Sequence, residues 1–312
     1  MTTAEAETGP AKPALSPAAI ARARRRAAAA RFWRDFRSHR AGLGGLVLLG
    51  VFVLLALFAP LLADRDSLDI TRVTAPSHLA PSLHYPLGTD ENGRSILTLL
   101  LYGTRVSLTV GLAATAISMA IGTLVGIMAG FYGGWARSLL MGVTDWFLVL
   151  PFLPLAIVLA TLLGASLTNI IVVIGITSWP GTARLVCAQT LTIRARPYLE
   201  RARALGAGGR HQMTRHVLPN AMPLVIANTV LTVSIAILSE TTLSFLGLGD
   251  PTQVSWGSIL DHANESGAMS RGEWWFVLPP GICVILVVLS FTLIGRTLET
   301  VLNPRLREGG RR

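Results

Sequence analysis

Six long apolar runs constrain this chain more than anything else in it. The stretches at roughly 41–63, 104–130, 138–163, 168–190, 222–247 and 277–297 are each predominantly apolar, and about 20 such residues cross the hydrocarbon core of a bilayer as one helix. Backbone groups find no water there, so runs of this length predict helices rather than open strands. Only 14% of the 312 residues are charged, against about 25% in soluble domains. The expected fold class is all-α integral membrane, with six transmembrane helices.

Charge sets the expected topology. The segment before the first run carries Lys12 and eight arginines, and the 191–221 loop carries Arg194, Arg196, Arg201, Arg203, Arg210 and Arg215 against Glu200 alone. Four arginines follow the last run: Arg305, Arg307, Arg311 and Arg312. The 64–103 and 248–276 loops are acidic instead, with Asp64, Asp66, Asp69, Asp90 and Glu91 in the first and Asp250, Asp261, Glu265 and Glu273 in the second. Basic loops stay cytoplasmic, so both termini and the 191–221 loop are expected inside and the acidic loops outside. A net charge of +10 also suits nucleic acid, but basic charge that alternates with topology argues against a nucleic-acid face.

The expected organisation follows. Residues 1–40 form a cytoplasmic tail, disordered over 1–21 and basic over 22–40, where Phe32, Trp33 and Phe36 suit a helix resting on anionic lipid. The first transmembrane helix is 41–63 and an external loop is 64–103. The core domain, 104–304, holds five transmembrane helices and the cytoplasmic segment 191–221. Residues 305–312 form a second cytoplasmic tail. The first run follows forty residues and reads as an anchor, not a cleaved leader.

Within the runs, Gly122, Gly126 and Gly130 recur every fourth residue and let another helix approach closely, from this chain or from a partner subunit. Pro151 and Pro154 kink the third run. Asp145 and Glu240 are acids inside apolar runs. A charge at the bilayer centre costs roughly 2.5–3.5 kcal/mol on insertion scales, so both are expected to face protein or water. They are candidate translocation-pathway residues, with a structural bond to backbone or to an arginine as the alternative. Cys187 and Cys283 lie in apolar runs and read as small core residues, without disulfide or metal-ligand spacing.

Between the fourth and fifth runs stands "YLERARALGAGGRHQMTRHVLPN", Tyr198 to Asn220. Pro197 suits the first position of a helix, Glu200 its positive end, and Gly206 the left-handed residue that closes it. Leu199, Ala202 and Leu205 fall on one side. A second short helix is expected from Arg210 to about Val217, stopped by Pro219. The result is a compact capped knob, suited to a groove on another protein or to the membrane surface.

The chain lacks the glycine loop ending in lysine that holds nucleotide phosphates: Lys12, its one lysine, sits in "GPAKPALS". No G-x-S-x-G or H-E-x-x-H is present, and the six histidines have no ligand spacing. "TDENG" lacks the alternating ligands and terminal Glu of a calcium loop. An enzyme is therefore not expected, and no cofactor or metal is assigned to this chain.

The pattern E-x-A-x-x-x-G-x(9)-H-x-L-P, here Glu200, Ala202, Gly206, His216, Leu218 and Pro219, resembles the EAA motif of bacterial ATP-binding-cassette permeases. Arg201 stands where that family has alanine. "HYPLGTDENGRSILTLLLYGTRVSLTVG" (His84–Gly111), "ETTLSFLGLGDP" (Glu240–Pro251) and "VSWGSIL" (Val254–Leu260) are similar to stretches of the dipeptide/oligopeptide/nickel branch. Departures are Tyr85 between His84 and Pro86, and Ser95 where aspartate is usual. The basic tail and lone first span resemble the C-type permease component, and the resemblance covers roughly residues 30–305.

That resemblance implies a type I ABC importer permease fold in a bacterial cell (inner) membrane. It implies a second homologous permease, two cytoplasmic ATPases that hold ATP and Mg, and an extracytoplasmic solute-binding protein as partners. Tyr198, Glu200, Arg201, Ala202, Leu205, Gly206, Ala207, His216 and Pro219 would meet an ATPase. Asp90, Asn92, Arg94 and Trp256 would serve docking of the binding protein. The implied cargo is a di- or oligopeptide, with nickel, metal chelates or haem as alternatives in the same family. An ion-coupled secondary transporter, a different class, would leave the knob unexplained.

Overall fold

The computed structural model describes residues 17–302, and its regular structure is helical apart from one isolated bridge between Thr89 and Ser95. Most of the expected 1–21 segment (1–16) and all of 305–312 lie outside the described residues. Residues 17–21 were expected without structure but belong to α1 (Pro17–Arg37). Phe36 of α1 is buried against Ala227, Ile294 and Leu298, which ties this basic helix to the helical bundle.

α2 (Arg40–Leu62) is the first apolar helix. It packs through Gly42, Gly45, Phe52 and Ala59 and leaves Leu57 and Leu61 exposed, as a lipid-facing helix does. α3 (Ile96–Tyr132) has 37 residues, some 55 Å at 1.5 Å per residue, and so outruns the 104–130 stretch at its N-terminal end. It is the central pillar, flanked by α2, by α6 (Leu167–Thr177), by α7 (Trp179–Arg194) and by α10 (Leu218–Leu243).

The glycine ladder of α3 is used inside the chain. A Cβ at Gly122, Gly126 or Gly130 would stand 2.6–2.7 Å from Thr182, the Ala183 carbonyl or Thr190, all on α7. With no side chain, the two backbones close to contact distance, which is how small residues hold helices together in lipid.

The third expected span is not one helix. α4 (Gly134–Val149) and α5 (Phe152–Leu163) meet at 90°. Leu150 is extended at φ −71°, ψ 127°, because the ring of Pro151 disfavours helical backbone in the residue before it. Among the described residues five helical runs are long and apolar enough to cross a membrane, and the bent pair makes a sixth if it counts as one span.

α8 (Pro197–Ala204) and α9 (Gly209–Gln212) build the knob. Pro219 does not stop the chain there. Met213–Val217 forms a π-turn and α10 continues directly, with Pro219 in its first turn. A proline's missing N–H costs nothing at a helix start, and one wide turn accommodates its ring. Beyond α10, a second π-turn (Ser244–Leu248) leads to α11 (Trp256–Glu265), and α12 (Trp274–Leu302) closes the bundle.

Candidate functional site

The knob is an elbow with a hard cap and a greasy root. Gly206 has φ +81°, a left-handed backbone in which an L side chain is strained. It allows Ala207 N–H to reach the Ala202 carbonyl at 3.0 Å and Gly206 N–H to reach Arg203 at 3.0 Å. These two bonds form the Schellman closure that satisfies the end of a helix. Gln212 is buried and donates from Nε2 to the Ala207 carbonyl at 2.6 Å, pinning the tip from behind. Leu199 is 0% exposed, within a cluster that includes Phe131 of α3, Val186 of α7, and Val217 and Ala221 beyond the elbow. Leu199 is thus the side chain that roots α8 among the long helices.

Leu205 does not share that packed side. It is 88% exposed, and Tyr198 is 41% exposed. Leu205 lies beyond the last helical residue, where the chain has begun to turn out of the helix. Glu200, Arg201 and Arg203 are exposed, and Glu200 has no ion-pair partner among the described residues. His216 lies beside Tyr198, with ring centroids 6.2 Å apart, and Ala202 and Ala207 are half-buried beneath the surface. The elbow therefore offers two apolar contacts, a free carboxylate and several guanidinium groups on a fixed frame.

The 64–103 and 248–276 loops are stitched together by acids and bases. Asp90 is 0% exposed; its carboxylate accepts from Arg94 Nε at 2.6 Å, from the Arg94 amide at 2.7 Å and from the Asn92 amide at 2.9 Å. Glu91 faces His262 of α11 at 3.2 Å. Burial alone would raise Glu91, but the His262 hydrogen bond and the nearby positive charges outweigh it and hold the carboxyl below its ordinary value. His262 is raised, first by its hydrogen bond to Glu91 and against the effect of burial. Glu273 accepts from Arg271 Nε at 2.6 Å and pairs with His78 at 3.1 Å, and the Arg271 bond foremost keeps it below the usual carboxylate range.

These contacts bear on the residues expected to serve docking of a binding protein. Asp90, Arg94 and Trp256 are 0%, 8% and 0% exposed in this chain. Trp256 packs edge-on against Phe52 at 5.8 Å and donates from Nε1 to the Leu100 carbonyl at 3.4 Å. A charge pair this buried is kept for internal satisfaction. Only Asn92 of the four is partly open. The open feature of this end is a cavity of about 830 Å³ whose lining includes Arg65, Asp69, Tyr102, Arg105, Thr109 and Gln253. Local sequence gave no sign of it, since its walls come from four separate stretches.

The two acids within the spans separate in environment. Glu240 is 1% exposed, and its carboxyl accepts from Ser107 at 3.0 Å and Ser244 at 2.8 Å. It lies in the core between α3 and α10, not on an open surface. Asp145 is on an exposed face and pairs with Arg184 of α7, a residue that sequence reading passed over because it sits inside an apolar run. Among the described residues no group of three or more His, Cys, Asp or Glu is placed to hold a metal. Cys187 and Cys283 are free thiols, the first buried and the second half-buried.

An all-helical chain with five or six apolar spans and a capped elbow between two of them is a multi-pass membrane protein by architecture. The family described as "Binding-protein-dependent transport system inner membrane component" matches residues 122–308, and "N-terminal TM domain of oligopeptide transport permease C" matches residues 29–81. The chain belongs to this family of ABC-importer permeases, whose ATPase is a separate subunit. It is 38% identical over 281 residues to the di/tripeptide transport system permease protein DppC of Pseudomonas aeruginosa, covering 88% of this chain and 92% of that one. It is 34% identical over 282 residues to the dipeptide transport system permease protein DppC of Alkalihalophilus pseudofirmus, covering 88% and 90%. To the glutathione transport system permease protein GsiD of Pectobacterium atrosepticum it is 34% identical over 281 residues, covering 88% and 91%.

Proposed function

We propose that this chain is one of two permease subunits of an ATP-driven importer for di- and oligopeptides, and that the Tyr198–Ala207 elbow is its coupling contact with a cytoplasmic ATPase. The relatives named for dipeptide, di/tripeptide and glutathione transport support a peptide cargo over nickel. The observation that carries the coupling role is the contrast between Leu199, wholly buried at the root, and Leu205, wholly presented at the tip. A groove on the ATPase takes Leu205 and Tyr198, Glu200 meets a basic group there, and closure of the ATPases around ATP and Mg moves the elbow as a rigid piece. Leu199 passes that motion to α3, α7 and α10.

In this reading both termini and the elbow are cytoplasmic, and the acidic loops face outward to an extracytoplasmic binding protein. A homologous permease supplies the other half of the passage. The test is reconstitution into liposomes with the partner permease, the two ATPases and the binding protein. Labelled di- and tripeptides enter only when ATP and all components are present. Uptake driven by an ion gradient without nucleotide overturns the proposal.

A further inference from the structure

Asp145 and Arg184 are 39 positions apart and meet through Oδ1 and Nη2 at 2.5 Å, with side chains 56% and 61% exposed. Their depth follows from the helices. Asp145 lies eleven residues past Gly134, the start of α4, and Arg184 ten residues before Arg194, the end of α7. The run Leu167–Arg194 is 28 residues long, so Arg184 lies about 15 Å from its end and inside a hydrocarbon layer about 30 Å thick. α4 is one arm of a pair bent by 90°, and the bond to Arg184 places Asp145 at that level. An exposed pair at that depth does not face lipid, because charged groups within spans turn to protein or to a water-filled cavity.

A second feature lies close by in the same stretch of chain. Five residues beyond Asp145 the span breaks at Leu150, and Pro151 is exposed there. Neither Pro151 nor Pro154 has an N–H to give to the carbonyls four residues earlier, those of Phe147 and Leu150. Backbone left open at membrane depth persists only where it is buried in protein or lines water. Around the pair the surface is low: Gly142 and Gly181, on the exposed faces of α4 and α7, would meet nothing within 4 Å with a Cβ added.

We propose that Asp145 and Arg184 face the water-filled solute passage, and that a zwitterionic peptide exchanges partners with the pair as it passes. Its α-carboxylate meets the Arg184 guanidinium and its α-ammonium meets Asp145. The pair neutralises itself when the passage is empty, so neither charge is stranded, and it presents one acid and one base to a solute that carries one of each. This deepens the permease reading and rests on it.

The test uses Arg184→Cys and Asp145→Cys, separately, in the complete complex in inside-out vesicles without nucleotide. The probe is a charged, membrane-impermeant methanethiosulfonate, with the parent chain, which keeps Cys187 and Cys283, as background. Both variants label several-fold faster than the parent. Excess free dipeptide slows the labelling, and the same dipeptide acetylated and amidated at its ends does not. Three results overturn the proposal: labelling at the parent rate, labelling of the isolated chain but not of the complex (a partner interface), or failure of the free dipeptide to protect better than the blocked one. The readout needs no uptake. A different cargo would therefore show as failed peptide uptake with labelling intact, while a misplaced pair would show as absent labelling with uptake intact.

Discussion

Ser107 of α3 donates its hydroxyl to the Glu240 carboxyl of α10 at 3.0 Å, although 133 positions separate them. The same Ser107 oxygen accepts from the Trp256 amide at 3.3 Å, at the start of α11. Three helices thus meet on one buried acid and one serine. Removing the acid leaves two hydroxyls without their acceptor and opens a cavity. Glu240→Ala is expected to destabilise the chain by about 2–4 kcal/mol, and Glu240→Gln by less than half as much. Thermal unfolding in detergent measures both. An unchanged melting temperature for Glu240→Ala would show that the acid is not structural.

The elbow separates contact from shape. Leu205 is exposed, so Leu205→Ala leaves stability within about 0.5 kcal/mol while co-purification with the ATPase subunits falls. Gly206→Ala meets no neighbour within 4 Å but places a side chain at φ +81°, at a local cost of roughly 1–2 kcal/mol. It is expected to lower ATP-driven uptake with the chain still in the membrane. Equal ATPase binding by Leu205→Ala and the parent would remove Leu205 from the contact.

The Glu91–His262 pair makes the acidic-loop end of the bundle pH-sensitive in a bounded window. His262 is raised above 6.5, so its contribution is complete below about 6.5 and disappears as pH rises through the raised value. Glu91 is held below 4.5, so its contribution is complete above about 4.5 and disappears as pH falls through the lowered value. The pair therefore stabilises most between about pH 4.5 and 6.5. His262 is 48% exposed on its side chain, which keeps the effect small. Melting curves of the parent and His262→Gln should differ most near about pH 5–6 and converge as pH rises through the raised His262 value; a difference that grows with rising pH contradicts the assignment.

Helix contact in the ladder is tested by size. Gly126→Val places its first carbon 2.6 Å from the Ala183 carbonyl and should cost about 1–3 kcal/mol or more, since the backbone cannot yield as a side chain would. Gly50→Ala on α2 meets nothing within 4 Å and should not destabilise. Comparable loss of folded yield for the two would contradict close α3–α7 packing.

The legible parts were the ones carried by neighbours in sequence. The apolar runs announced their helices, Pro197 and Gly206 fixed the two ends of α8, and the four-residue glycine spacing announced a close approach, although not to which helix. Helical spacing set Leu199, Ala202 and Leu205 on one side, of which only Leu199 is fully buried, and Pro219 was expected to end a helix that in fact runs on into α10. Whether a residue just past a helix end faces in or out depends on what the neighbouring helices leave uncovered.

By itself the sequence determined the solvent, the helical class and the cap of the elbow, because hydropathy, proline and glycine act over one or two turns. Tertiary structure alone decided that Asp90, Arg94 and Trp256 turn inward, that Glu240 is held by Ser107, and that Asp145 finds Arg184. Each of the last two pairings joins helices far apart in the chain. A polar group in an apolar run must find some partner, but which one it finds is set by how the helices cross, and the crossing is settled by packing over the whole bundle.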